Sequence, residues 1–182
     1  MNSTLNFLGK RSFSLYNYTH HTNPKIFLTL SKNGENLGDL VFELYQDKVP
    51  KHAENVIAFA TGANPTGQSY VGTKLNSGFP GIVMQGGRVD ADNLSADGTR
   101  MPDAPVLLRH FKRGMLTMAN DGENSNGSEF MITLNKADML DGYHTVVGEL
   151  VQGEDVLKKA EASLTRHGHF TEEIKIEQSG TR

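Results

Sequence analysis

Alternating apolar and polar residues mark two neighbouring strands early in the chain. Residues 25–31 and 37–45 carry Ile, Phe, Leu and Val at roughly every second position, which is typical of strands with one buried face. The residues between them include Asn33-Gly34, a pair that favours tight two-residue turns. The pattern therefore predicts a β-hairpin.

A different spacing begins at Pro50. Apolar residues recur there at the positions that share one face of a helix, namely Ala53, Val56, Ile57 and Ala60. Pro50 suits the first turn of a helix, and Thr61-Gly62 supplies a stop. A similar pattern over residues 154–164 predicts a second helix with one apolar face.

The middle of the chain, residues 63–135, is rich in Gly, Asn, Asp and Ser. Short apolar pieces interrupt it at 79–84, 115–118 and 130–134, which predicts short strands joined by long loops. Alternation at 173–177 predicts a closing strand. Many strands and two helices together indicate a mainly β fold, a closed barrel with helical covers.

Composition narrows the function classes. The 182 residues fit one domain, over about 23–182, and the formal net charge of -3 gives no basic surplus for binding nucleic acid. Cysteine is absent, which excludes disulfides, thiolate metal sites and a cysteine nucleophile. No window approaches the roughly 18 apolar residues of a membrane span, so none is expected.

The first 22 residues differ from the rest. They contain Lys10 and Arg11, several Ser and Thr, and no Asp or Glu, a composition that resembles a mitochondrial transit peptide. The expectation is a leader over 1–22 and a location in the mitochondrion, on its matrix side. An ordinary polar tail is the alternative. A secretory signal is disfavoured because the two basic residues interrupt the apolar positions.

Four segments, in order, resemble the cyclophilin family. They are VPKHAENVIAFATG (49–62), FPGIVMQGG (79–87), MANDGENSNGSEFMIT (118–133) and MLDGYHTVVGEL (139–150). The resemblance covers about residues 24–180 and implies an eight-stranded antiparallel barrel capped by two α-helices, with a proline-binding groove on its outer face. It also implies isomerisation of X-Pro bonds, whose rotation barrier is about 18 to 20 kcal/mol.

The resemblance places Ser77, after Asn76, where the family's usual catalytic arginine stands. That arginine lies near the amide nitrogen, where loss of resonance builds lone-pair density. A serine hydroxyl is short and neutral, so we expect transition-state stabilisation to fall by a few kcal/mol and the rate by about a hundredfold or more. Arg88 is an alternative donor, although its spacing points it elsewhere.

The remaining site residues also come from the resemblance. It assigns the proline pocket to Ile82, Val83, Met131, Met139 and Leu140. Ile82, Met131 and Met139 replace family aromatics, so the recess stays apolar but loses rigid ring walls. Gln85, Asn120 and His144 match catalytic positions, and the Ala119 and Asn120 backbone matches a peptide-pairing edge. Gln85 as a loop residue, His144 as a packed ring and Leu140 as core remain alternatives.

No cofactor is expected, and no metal. The His20-His21 and His167-Gly168-His169 pairs lack the carboxylate or cysteine partners of a metal site. Asp90, Asp92 and Asp97 lack EF-hand spacing and its terminal Glu.

Three functions remain open. The first is an accessory subunit of a large mitochondrial assembly, respiratory or ribosomal, held through the N-terminal extension and barrel loops, with weak or absent isomerase activity. The second is an active mitochondrial peptidyl-prolyl isomerase that assists folding. The third is a module that binds proline-containing peptides without turnover.

Overall fold

The computed structural model describes residues 17–182, so most of the predicted leader lies outside the described residues. Eight strands form the body of the protein. They are Lys25–Lys32 (β1), Glu35–Leu44 (β2), Lys74–Phe79 (β3), Val83–Gly86 (β4), Met115–Met118 (β5), Phe130–Thr133 (β6), Val146–Gln152 (β7) and Ile174–Thr181 (β8). Two α-helices, Pro50–Thr61 (α1) and Glu154–Glu161 (α2), and a 3-10 turn at Asp138–Leu140 complete the set.

The strands close into one barrel in the order β1-β2-β7-β5-β6-β4-β3-β8. Every pairing between neighbours is antiparallel. Closure leaves no sheet edge unpaired along the barrel wall. The prediction of a mainly β, eight-stranded antiparallel barrel with two α-helices is confirmed.

The predicted hairpin is β1 and β2. Its two connecting residues, Asn33 and Gly34, have φ angles of 49° and 86°. A two-residue turn of this type needs positive φ at both positions, which Asn and Gly tolerate best. The turn sets the pairs nearest to it, Lys32 with Glu35 and Ser31 with Asn36. An extra residue at Leu37 then shifts the register by one, so that Leu28 lies opposite Leu40 inside the barrel.

The two predicted helices are present. Helix α1 has Pro50 in its first turn and ends at Gly62, whose φ of 70° gives a left-handed cap. Helix α2 buries its predicted apolar face of Val156, Leu157 and Ala160 but stops at Glu161 rather than at 164. Leu164 instead forms an isolated β-bridge with Phe170, which ends the helix earlier.

Other boundaries also differ from the sequence pattern. The apolar piece at 79–84 spans two strands, since Phe79 ends β3 and Val83 begins β4. Pro80 and Gly81 turn the chain between them, with Ile82 N donating to Phe79 O at 2.9 Å. The closing strand predicted at 173–177 continues to Thr181 because it pairs along most of β1.

The main core fills the barrel and the space beneath both helices. Tyr70 is a fully buried member of this core, with its ring edge-on to Phe130 and its hydroxyl donating a hydrogen bond to Ser128 O. Among the helices of residues 17–182, none combines the length and apolar character that a bilayer span requires. The site described next lies on the outside of the barrel wall.

Candidate functional site

One row of side chains crosses four strands on the outer face of the barrel. Ser77 on β3 lies opposite Gln85, Gln85 opposite Met131, and Met131 opposite Thr117. Directly opposed residues share a face of the sheet. The next residue along each of the last three strands points into the main core, which places this row outside; these residues are Met84, Ile132 and Leu116.

A small apolar cluster, which we call the recess, lies along this row. Val83, Ala119 and Met131 are buried together, and Ile82 and Leu140 pack against them half-buried. The recess therefore brings together Ala119 and four of the five predicted pocket residues. Met139 does not join them: it is 59% exposed at the 3-10 turn.

Two further predicted residues border the recess. His144 Nδ1 lies 3.1 Å from Met118 O, so this nitrogen carries the proton and donates. Burial lowers the pKa of His144, which keeps the ring neutral at pH 7. The Asn120 side-chain amide donates to Tyr143 O at 2.8 Å and so ties together the loops on either side of His144.

Three residues that sequence reasoning missed hold the loop carrying Leu140. Asp141 accepts hydrogen bonds from His110 N and from His110 Nδ1, each at 2.8 Å. His110 Nε2 lies 3.0 Å from Thr117 Oγ1, so the chain of bonds ends in the outer row itself. Partial burial favours a higher pKa for Asp141, but the bonds from His110 outweigh it and lower that pKa. Leu140 is therefore positioned by a buried polar contact.

Ser77 stands at the other end of the row, beside an irregularity in β3. Leu75 pairs with Gly86 and Ser77 with Gln85, so Asn76 is an extra residue in the strand. Ser77 Oγ lies 3.5 Å from Asn76 Oδ1, a long contact, and Asn76 Nδ2 donates to Glu129 Oε1 at 3.1 Å. Glu129 is only 2% exposed.

Arg88 completes this arrangement. Its Nε donates to Glu129 Oε2 at 3.0 Å and its Nη2 lies 2.8 Å from the same oxygen. Its Nη1 donates to Ala91 O at 3.1 Å. The hydrogen bond to Glu129 raises the pKa of Arg88. We call Ser77, Asn76, Glu129 and Arg88 the polar network.

Sequence reasoning missed Glu129, although a signal existed. Glu129 lies two residues before Met131, so the period of a strand places both side chains on the same face. The sequence offers Arg88 as an alternative donor, with a spacing that points it away from the site. The structure joins it to Glu129, 41 residues along the chain.

The row, which we call the groove from here on, places the apolar recess beside neutral hydrogen-bond donors. Within residues 17–182, no hydrogen bond engages the Gln85 side chain, so its amide is available to a ligand. Ser77 Oγ contacts an amide rather than a histidine, so it lacks the base that activates a serine nucleophile. The arrangement can hold an apolar ring and donate to a carbonyl, but it does not prepare covalent attack.

A comparison with protein families identifies the family of the chain that carries this site. A family model described as "Cyclophilin type peptidyl-prolyl cis-trans isomerase/CLD" matches residues 27–181, nearly the whole barrel. The chain belongs to the cyclophilin family. The resemblance in the four segments is thus confirmed, and cyclophilin-type isomerisation of X-Pro bonds is the activity of the family.

The individual site assignments in this cyclophilin stay predictions, as does the place of Ser77 at the arginine position. Among residues 17–182, no group of three or more His, Asp and Glu side chains is arranged to hold a metal ion. What the structure adds is the polar network, which the sequence comparison did not reveal.

Proposed function

We propose that this cyclophilin is an accessory subunit of a large mitochondrial complex and has weak or absent peptidyl-prolyl isomerase activity. The observation that carries the proposal is the polar end of the groove. Ser77 offers a short neutral hydroxyl, and Arg88, the cation of the polar network, is bound to the buried Glu129.

Charge at this point matters for the reaction. Twisting an X-Pro bond removes amide resonance and leaves a lone pair on the nitrogen, which a positioned guanidinium stabilises. A serine hydroxyl brings one neutral donor. The charge of Arg88 is balanced by Glu129, so it adds little field to the groove. A deficit of about 3 kcal/mol corresponds to a rate loss of more than a hundredfold.

Exposed apolar side chains support the accessory role. Val106, Leu107 and Tyr143 are 46%, 56% and 73% exposed. They line one depression that also includes His144, at the border of the recess. Apolar side chains gathered in this way are typical of a protein contact surface. The mitochondrial location rests on Lys10, Arg11 and the lack of acidic residues in 1–22.

An active mitochondrial isomerase that assists folding is the second candidate. The recess and the available Gln85 amide favour it, since both serve proline binding in an active enzyme as well. Binding of proline-containing peptides without turnover is compatible with the accessory role. The two candidates differ in rate, not in affinity.

The test is a proline-isomerisation assay on the full chain, the Ser77→Arg variant and an active cyclophilin. We expect the natural chain to reach about 1% or less of the active relative's rate, and Ser77→Arg to gain about a hundredfold. Ser77→Lys is the matched control: it adds charge without the planar fork and should gain less. A natural chain as fast as the active relative would overturn the proposal.

The accessory role has its own test. A tagged full chain, expressed at its native level, should migrate with a large complex when mitochondria are gently solubilised. Recovery only as a free monomer would contradict the role, whatever the isomerase rate.

A further inference from the structure

Residues 17–24 cross the outside of the barrel before β1 begins, and we call them the clasp. Tyr18 places its ring edge-on to both Tyr45 and Phe111, with 5.5 Å between ring centroids in each case. Its hydroxyl accepts a hydrogen bond from Arg109 N at 3.3 Å. Tyr18 thus covers a second apolar cluster, of Tyr45, Val49, Leu108, Met115 and Val146.

The clasp also supplies hydrogen bonds to a buried carboxylate. Glu43, only 6% exposed, accepts from His20 N at 2.7 Å and from Asn23 Nδ2 at 3.2 Å, both through Oε1. Asn23 Oδ1 in turn accepts from Asp47 N at 3.2 Å. The clasp is therefore bonded to the chain on both sides of Tyr45.

The Glu43 carboxylate needs these hydrogen-bond donors because a second carboxylate lies beside it. Glu149, 3% exposed, is directly opposite Glu43 in the register of β2 and β7. Directly opposed like charges destabilise a sheet. Lys112 forms an ion pair with Glu149 and also attracts Glu43, but among residues 17–182 the hydrogen bonds to the Glu43 carboxylate come from the clasp.

We propose that the clasp is a permanent part of the folded domain, and that any proteolytic removal of the N-terminal leader cuts before Tyr18 rather than after residue 22. A cut after residue 22 would uncover Tyr45, which is fully buried, and would leave Glu43 with Asn23 as its one clasp donor. The clasp is independent of the proposed function, whereas the cleavage rests on the proposed mitochondrial leader.

Thermal unfolding of the full chain tests the clasp. Tyr18→Ala should lower the midpoint by roughly 5 to 10 °C, because the ring covers apolar side chains and orders the segment that reaches Glu43. Thr19→Ala is the matched control. Its side chain is exposed, and within the described part of the chain its hydroxyl bonds only to Asn17, so its midpoint should stay within about 1 °C. Equal midpoints for the two variants would overturn the proposal.

Limited digestion of the native full chain gives a test that needs no variant. Chymotrypsin cleaves after aromatic residues, and Tyr18 is such a site. While the barrel stays folded, we expect no cleavage after Tyr18, so the products that contain the barrel should still carry Tyr18. A stable product that begins at Thr19 would show that the clasp is dispensable.

The intact mass of the protein recovered from mitochondria tests the cleavage. We expect an N-terminus at or before Tyr18, and an uncut chain satisfies this as well. A start at residue 19 or later would contradict the inference. Absence from mitochondria would refute the proposed leader and the cleavage with it, while the unfolding and digestion experiments would still decide the clasp.

Discussion

The two ends of the groove lie on the same face of the sheet, but one end is apolar and the other is polar and charged. At one end Val83, Ala119 and Met131 form a recess that needs only apolar burial. At the other end lies the polar network, in which Ser77 contacts Asn76. The one cation of this network, Arg88, forms an ion pair with the buried Glu129. Met131 and Glu129, two residues apart near β6, belong one to each end.

This difference separates shape from catalysis. An apolar recess tolerates the exchange of one apolar side chain for another, because burial depends on area more than on direction. Stabilising the twisted amide depends on charge delivered at one point. A groove can therefore keep its form for proline while the donor that accelerates rotation is lost.

The largest expected effect comes from breaking the polar end. Arg88→Ala removes the cation from a carboxylate that is 2% exposed. We expect the free energy of unfolding to fall by about 2 to 4 kcal/mol, somewhat less than for a fully buried pair because the Arg88 side chain is 32% exposed. Urea unfolding measures it.

Arg100→Ala is the matched control for that variant, since Arg100 is exposed on the same stretch of chain. Its unfolding free energy should change by less than about 0.5 kcal/mol. If Arg88→Ala behaves like the control, the network does not stabilise the fold, and the contrast between the two ends fails.

A smaller effect is expected at the apolar end, where two methionines can be compared. Met131→Ala opens the recess and should weaken proline-peptide binding about tenfold, or about 1.4 kcal/mol. Met139→Ala should change affinity by less than about twofold, because its side chain is 59% exposed and outside the recess. Calorimetry on both variants decides this. A larger loss of affinity in Met139→Ala than in Met131→Ala would show that Met139 belongs to the pocket.

The smallest effect concerns pH. Burial lowers the pKa of His144, and of His52 and His110, below the usual value near 6.5. Between the folded and unfolded pKa values the unfolded chain binds more protons, so stability falls as pH falls below about 6.5. Protonation of His144 should also weaken peptide binding at acid pH.

In His144→Gln, we expect the loss of peptide affinity at acid pH to disappear. We also expect the loss of folding stability at acid pH to become smaller. His52→Gln should reduce only the fall in stability, because His52 bonds to Pro102 O beside α1, not at the recess. Titrations of both variants between about pH 7 and 5 separate the two roles. An affinity of the natural chain that does not change with pH would argue against His144 at the recess border.

Local patterns predicted much of the fold. The hairpin turn at Asn33-Gly34 and the helix from Pro50 to Thr61 depend on residues close in the chain, and both are present. Strand β3 was not recognised, because KLNSGF shows no clean alternation and includes an extra residue at Asn76. Its place in the barrel is fixed by its pairing with β4 and β8.

The recess was largely predictable and the polar network was not. The resemblance placed Val83, Met131 and Leu140 together, as the structure does. Glu129 and Arg88 meet only through the folded chain, and no local pattern signals an ion pair over that separation. Met139, next to Leu140, was expected in the pocket, but adjacent residues in a 3-10 turn point in different directions.

The most direct test of the account follows binding and rotation together. Exchange NMR on a proline-containing peptide, with increasing amounts of the natural full chain, reports both. The account predicts saturable shifts of the peptide signals while cis-trans exchange stays near its uncatalysed pace of tens to hundreds of seconds. Exchange accelerated to the level of an active cyclophilin would contradict it.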